Sequence, residues 1–272
     1  MAITTIADAI TYACQPRDFV KGVGGTMVTG RPHSFWTIGG QPAAGTSSSG
    51  LTGEVLSSTS AQVTGQIPYT NALSGNTYVS RFQGQSTVSG TLLLCDRLWQ
   101  NSAIDATSTS EQTFTSSVQI PARDDTGTTT GEGVYAGVEV LVATTTNTPA
   151  SMTLKYTNTG GTAGQTATNL ITLAPATVGD FFPIGLASGD TGIQKAQSLT
   201  IAATAWAAGT LGVVLYRVLA RLELTVSNTP NAIDAITGGF NRMYDGSVPF
   251  IILIHNTTTS SNVSGQVIWS QH

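Results

Sequence analysis

Charge is scarce in this chain. Only 10% of its 272 residues are Asp, Glu, Lys or Arg, against about 25% in an average soluble domain, and the net charge is −4. So little charge, beside 40% apolar residues, argues against a chain kept disordered by self-repulsion. The basic residues form no stripe, which removes the electrostatic footprint of a nucleic-acid binder. No run of about 18 apolar residues occurs, so no membrane-spanning helix is expected. Met1-Ala2-Ile3-Thr4-Thr5-Ile6 has neither a basic start nor an apolar stretch of signal-peptide length, and Sec export is not expected. Cysteine is limited to Cys14 and Cys95, too few for a tetrahedral metal cage; they are either two buried thiols or one long-range staple. His33, His255 and His272 stand beside no pair of carboxylates in the sequence.

What the chain has instead is hydroxyl and glycine. Thr and Ser make up roughly a quarter of it. Up to about Ser74 the chain is broken by Gly22, Gly24, Gly25, Gly30, Gly39, Gly40, Gly45, Gly50, Gly53 and Gly65 and by Pro16, Pro32, Pro42 and Pro68. That pattern is costly for helix and interrupts long strands. Phe19, Val20, Phe35, Trp36 and Ile38 nevertheless punctuate it, as in an extended arm whose side chains drop into pockets on its own domain or on a neighbour. We therefore divide the chain into an irregular arm, 1–74, and a β-domain, 75–272. Fully extended at about 3.3 Å per residue, such an arm would span well over 100 Å.

From Asn76 the period becomes two. Thr87–Cys95 alternates and then runs apolar, as a strand entering a core does, and β-rich runs recur at 113–120, 133–146, 151–156, 166–173, 197–204, 211–224, 249–255 and 262–269. Thr157-Asn158-Thr159-Gly160-Gly161 predicts a hairpin across 151–173. No amphipathic helix of crossover length intervenes. The fold class expected is all-β, a jelly-roll-like sandwich of about eight strands. One short helix is expected at Thr229–Gly238, with a Thr cap, Pro in the first turn and a terminal Gly. The run 211–224 is ambiguous, but Arg217, Arg221 and Glu223 alternate with apolar neighbours and favour strand.

No residue pattern calls for catalysis. Gly45-Thr46-Ser47-Ser48-Ser49-Gly50 lacks the spacing of a nucleophile elbow and reads as a loop. Gly22-Val23-Gly24-Gly25 lacks the strand–helix unit and the following acid of a dinucleotide site. Asp124 and Asp125 sit in a turn composition; with Glu132 they are either calcium ligands or, more simply, a solvated loop tip with a local Arg–Asp pair. Glu111, Glu139 and Glu223 fall one per strand and read as surface residues, not as the paired carboxylates of a glycosidase. Trp36, Trp99, Trp206 and Trp269 each lie among apolar neighbours, which suits burial better than a sugar platform. The triplets at Asn256 and Asn262 match a glycosylation acceptor, inert without export. We expect no enzyme activity, no cofactor and no metal.

Three stretches carry a resemblance: Gly30-Arg31-Pro32-His33-Ser34-Phe35-Trp36-Thr37-Ile38-Gly39-Gly40-Gln41-Pro42-Ala43-Ala44-Gly45; Ile67-Pro68-Tyr69-Thr70-Asn71 with Gly75-Asn76-Thr77-Tyr78; and Leu94-Cys95-Asp96-Arg97-Leu98-Trp99-Gln100-Asn101-Ser102. The chain resembles virion structural proteins of tailed bacteriophages, of the capsid cement or decoration type. The resemblance implies a β-sandwich on the outer capsid surface, made in the host cytoplasm. Its partners would be the major capsid protein and further copies of itself, as dimer or trimer, and neither nucleic acid nor membrane. On that reading Phe19, Val20, Phe35, Trp36 and Ile38 anchor the arm on the capsid, with Arg17 and Arg31 pairing to capsid acids; the same side chains would otherwise fill the protein's own core. A different class, a receptor- or carbohydrate-binding module of a tail fibre, predicts exposed aromatic tip loops and a repetitive shaft, neither of which the sequence displays.

Overall fold

The computed structural model describes residues 15–22, 25–47, 50–72, 75–115 and 118–271. Cys14, Val23, Gly24, Ser48, Ser49 and His272, together with the Met1–Ile6 segment, lie outside them. The described residues form three antiparallel sheets, and the all-β, jelly-roll-like class holds.

A six-stranded sheet contains β1 (Gln15–Gly22), β3 (Gly40–Gln41), β5 (Thr77–Ser86), β15 (Asn231–Asp234), β16 (Arg242–Met243) and β18 (Asn262–Gln271). A four-stranded sheet contains β8 (Gln112–Thr113), β10 (Ser151–Asn158), β11 (Gln165–Thr168) and β13 (Ile193–Ala202). Between them runs an eight-stranded sheet in the order β12-β9-β14-β6-β17-β2, with β4 on β6 and β7 on β14. Its members are β2 (Pro32–Ser34), β4 (Glu54–Val55), β6 (Gly90–Gln100), β7 (Ile104–Asp105), β9 (Tyr135–Val142), β12 (Phe181–Ile184), β14 (Thr210–Leu224) and β17 (Pro249–His255). The hairpin expected across 151–173 is β10–β11, and 211–224 is strand.

The long strands β6 and β14 serve two sandwiches at once. Leu92, Leu94, Leu222 and Leu224 pack with Phe19, Val79, Phe82, Val263, Val267 and Trp269 of the six-stranded sheet. Further along the same strands, Leu98, Trp99, Leu211, Val213 and Leu215 pack with Met152, Leu154, Tyr156, Leu199 and Ile201 of the four-stranded sheet. Side chains alternate along a strand, so a long strand that twists needs re-phasing to keep its core face turned inward. Register shifts between β6 and β14, at Leu215/Tyr216 and at Val218/Ala220, supply it.

A third cluster lies on the other face: Cys95, Val214, Tyr216, Phe250 and Ile252 with Trp36, Leu56, Phe181 and Val248. It is enclosed because the two ends of the central sheet meet. His33 in β2 bridges to Asp180, the residue before β12, and the Ser34 N–H donates to Gly179 O at 2.7 Å. The central sheet thus rolls on itself, with this cluster inside and the two sandwich cores outside.

Two features differ from the sequence reading. The stretch expected to be an irregular arm carries β1 to β4 within its described residues, and β1 pairs along its whole length with β18. Its alternation was hidden because the inward face of Gln15–Gly22 mixes Phe19 with the buried polar residues Gln15 and Lys21. The helix (α1, Ala235–Gly238) is also shorter than expected. Residues 231–234 pair with β5, and the Asp234 carboxylate, accepting from the N–H groups of Ile236 and Thr237 at 3.0 Å, starts the helix where Thr229 was expected to.

Candidate functional site: the buried charges of the central sheet

Of the expected arm anchors, Phe19, Phe35 and Trp36 are buried in the chain's own core, at 0, 1 and 0% exposure, and Ile38 packs partly against it. Arg31 is buried as well, its acid being Asp180 of the same chain. These five are therefore occupied internally, which is the core alternative of the sequence reading. Val20 is exposed, and Arg17 is half-buried with its guanidinium donating to Pro16 O and Gln15 Oε1.

Trp36 is gripped on all sides. Its Nε1–H donates to Thr46 O at 3.1 Å and its carbonyl accepts from Gly45 N–H at 2.7 Å. Gly45 lies so close that a Cβ there would stand 2.4 Å from the indole. On its other face the Arg97 guanidinium carbon is 4.7 Å from the ring centroid, and 5.3 Å from that of Phe250. Arg97 donates to Glu139 Oε2 at 2.7 Å and to Gln100 Oε1 at 2.7 Å; Gln100 in turn donates to Glu54 at 2.7 Å. Burial lowers the guanidinium's affinity for its proton, and Glu139 beside it opposes that. Glu139, expected at the surface, is fully buried, since β9 turns it into the rolled sheet opposite Arg97.

A second cluster adjoins the first. Asp96 lies 3.5 Å from both Arg123 and Arg217, and also accepts from Ser247 Oγ at 3.0 Å and Val248 N–H at 2.8 Å. Arg123 donates to Leu56 O and Arg97 O, while Arg217 donates to Arg242 O and stands over the Tyr244 ring at 5.0 Å. At the seam, Arg31 donates to Asp180 at 2.9 Å and to the carbonyls of Pro175 and Ala174, with its guanidinium over Phe182. His33 Nδ1 is 3.2 Å from the same carboxylate. Burial would raise the Asp180 carboxyl, but the His33 and Arg31 contacts hold it below the usual range.

The Asp124 loop differs from both sequence readings. Asp124 is fully buried, and its carboxylate accepts six hydrogen bonds: N–H and Oγ1 of Thr126, N–H and Oγ1 of Thr128, Oγ1 of Thr130 and N–H of Gly131, at 2.7–3.0 Å. Six donors fill a carboxylate that has about four lone-pair sites, so Asp124 is not a free cation ligand. Burial would raise its pKa, yet these bonds bring it down to about 2. Asp125 faces Arg217 at 3.8 Å and Glu132 accepts from Thr191 at 2.6 Å, so the three acids diverge. Among the described residues no group of three or more His, Cys, Asp and Glu is placed to hold a metal ion. Glu111 and Glu223 are surface residues as expected, paired with Lys155 and Arg221. All four tryptophans are buried. Cys95 is buried too, and burial pushes its thiol up, the opposite of an activated nucleophile.

The sequence reading missed these clusters because their partners are far apart, 147 residues for His33 and Asp180. A signal was present: Asp96 and Arg97 interrupt an apolar run, as Arg217 does in β14, and charges inside a buried strand need partners. Chemically, the clusters clamp strands together.

No family model matches the chain, and no curated protein does. Among solved structures, a subviral particle of infectious bursal disease virus VP2 aligns over 96% of this chain and 81% of that one, at 9% identity and a TM-score of 0.21. The T13 particle of the same virus aligns over 96% and 78%, at 8% identity and a TM-score of 0.23. Superposition at that level does not establish a common fold.

Proposed function

We propose that this chain is a structural virion protein, a capsid cement or decoration protein of a tailed bacteriophage that binds the outer capsid surface and stabilises contacts between major capsid subunits. The observation that carries the reading is where the three stretches resembling such proteins come together. Arg31, His33 and Trp36 from the first, and Asp96, Arg97 and Gln100 from the third, form the seam and the struts of the rolled central sheet. Pro68 from the second accepts the Trp269 Nε1–H at 3.0 Å. Such residues make a stiff module in which charge serves as internal bracing. A hydroxyl-rich exterior keeps a stiff block hydrated without strong charge of its own. Many copies on one shell would sum weak contacts through multivalency. Self-association as dimer or trimer belongs to the same proposal.

Copy number decides it. Quantitative mass spectrometry of purified particles is expected to give hundreds of copies, and the purified chain is expected to rebind shells stripped of it. A handful of copies travelling with tails, together with glycan binding, would support the tail-fibre module instead.

A further inference from the structure

Two imidazoles are buried where the central sheet closes. His33 and His255 are 0 and 1% exposed. His255 Nδ1 lies 2.6 Å from Thr257 O; a carbonyl only accepts, so Nδ1 carries the proton and Nε2 presents a lone pair. That Nε2 is buried without a hydrogen-bond partner. His33 is held at Nδ1 by Asp180, and its Nε2 is likewise buried and unpartnered. It abuts Gly179, where φ is +92° and a Cβ would stand 2.5 Å from Nε2.

The fixed charges beside His255 already balance. Arg31, just before β2, and Asp180, just before β12, cancel each other at 2.9 Å. Glu223 of β14 shares a shallow surface hollow with His255, but Thr91 and Arg221 engage its carboxylate at 2.7 and 2.6 Å. A proton on His255 sets two cations against one buried carboxylate. The new Nε2–H would meet no acceptor, and a buried donor without a partner is costly. Burial, with Arg31 and His33 nearby, already holds His255 below the ordinary imidazole range.

We infer that Arg31, His33, Asp180 and His255 form an acid-operated latch: protonation of the buried His255 imidazole releases β2 from the turn before β12 and uncurls the central sheet, while the four-stranded sheet keeps its pairing. This holds whatever the shell role of the protein. Opening lets the His255 ring hydrate and titrate near the ordinary 6.5, so the opened fraction grows as pH falls below that value.

Hydrogen exchange of the full chain, corrected for intrinsic pH dependence, tests the latch between pH 7 and 5. The amide of Ser34, which bonds across the seam to Gly179 O at 2.7 Å, is expected to lose protection about tenfold per pH unit below roughly 6.5. The amides of β10 and β13 are expected to hold. His255→Phe, which removes the titrating ring, is expected to flatten the seam's pH slope. Undiminished seam protection at pH 5, or equal loss in both sheets, would overturn the latch. The regional contrast is measured in the unmodified chain, so it decides the matter even if the variant fails to fold.

Discussion

The guanidinium of Arg97 stacks on the indole of Trp36, 4.7 Å from its centroid, with both side chains sealed inside the rolled sheet. The pair joins the glycine-rich first quarter of the chain to the strand at the centre of the fold. A desolvated cation over Trp contributes about 2 kcal/mol. Its larger effect is geometric: Trp36 shields from water the ion pair that Arg97 makes with Glu139.

That shielding sets up a double-mutant cycle. Arg97→Met leaves Glu139 buried without its counter-ion and is expected to cost about 3–5 kcal/mol in urea unfolding. Glu139→Met is expected to cost less, because the guanidinium it leaves keeps Gln100 Oε1 as an acceptor. Arg97→Met with Glu139→Met removes both charges and is expected to recover most of the loss. A double variant as unstable as the sum of the two single ones would show that the pair is not coupled.

Gly45 is expected to resist even the smallest side chain. Gly45→Ala places a methyl 2.4 Å from the Trp36 ring, and its backbone N–H is bonded to Trp36 O, so neither side can retreat freely. Overpacking of this kind costs about 1–3 kcal/mol. The check is the midpoint of thermal unfolding beside Gly39→Ala, where a Cβ meets nothing within 4 Å and φ, as at Gly45, lies outside the left-handed region. Equal shifts for the two variants would remove the indole from the account.

These residues mark how far the sequence could be read. The strands at 151–158, 210–224, 249–255 and 262–271 are legible because their apolar faces are continuous and their ends are marked by turn residues. β1 was not, because a strand whose inward face carries Gln15 and Lys21 shows no apolar alternation. Phe35 and Trp36 are legible as buried groups, but an apolar side chain does not declare which surface covers it. The seam was the least legible part: β2 is three residues long, and it is defined by a histidine and an aspartate that no local pattern relates.

The Asp124 hub is expected to govern stability in acid. With its carboxyl at about 2 in the fold and about 3.8 when unfolded, the carboxylate's contribution is complete above the unfolded value. It is lost as pH falls from about 3.8 through 2, and it amounts to roughly 2.5 kcal/mol at about 1.4 kcal/mol per unit. Asp124→Asn is expected to be less stable at pH 7 and to have a shallower acid limb between pH 4 and 2. Wild-type and variant curves that run parallel over that interval would show that the carboxylate's charge is not what the threonines stabilise.

Lys21 is expected to act at the other end of the scale, with opposite sign. Its ammonium is buried on β1 and donates to two carbonyls, Ile38 O at 2.8 Å and Ala43 O at 3.3 Å, and burial lowers it to about 8. The unfolded chain keeps that proton up to about 10.5, so between about 8 and 10.5 the unfolded state binds more protons. Lys21 therefore weakens the fold below pH 8, and the penalty disappears as pH rises through this window. Buried tyrosines work against it there: Tyr69 and Tyr156 are both pushed up to about 12, chiefly by burial. The difference between wild type and Lys21→Met cancels their contribution. That difference, from urea midpoints at fixed ionic strength, is expected to move in favour of wild type from pH 8 to 10.5, by at most about 1.4 kcal/mol per pH unit. A difference that stays level across the window would mean that the amine is hydrated and that its two carbonyl contacts do not persist in solution.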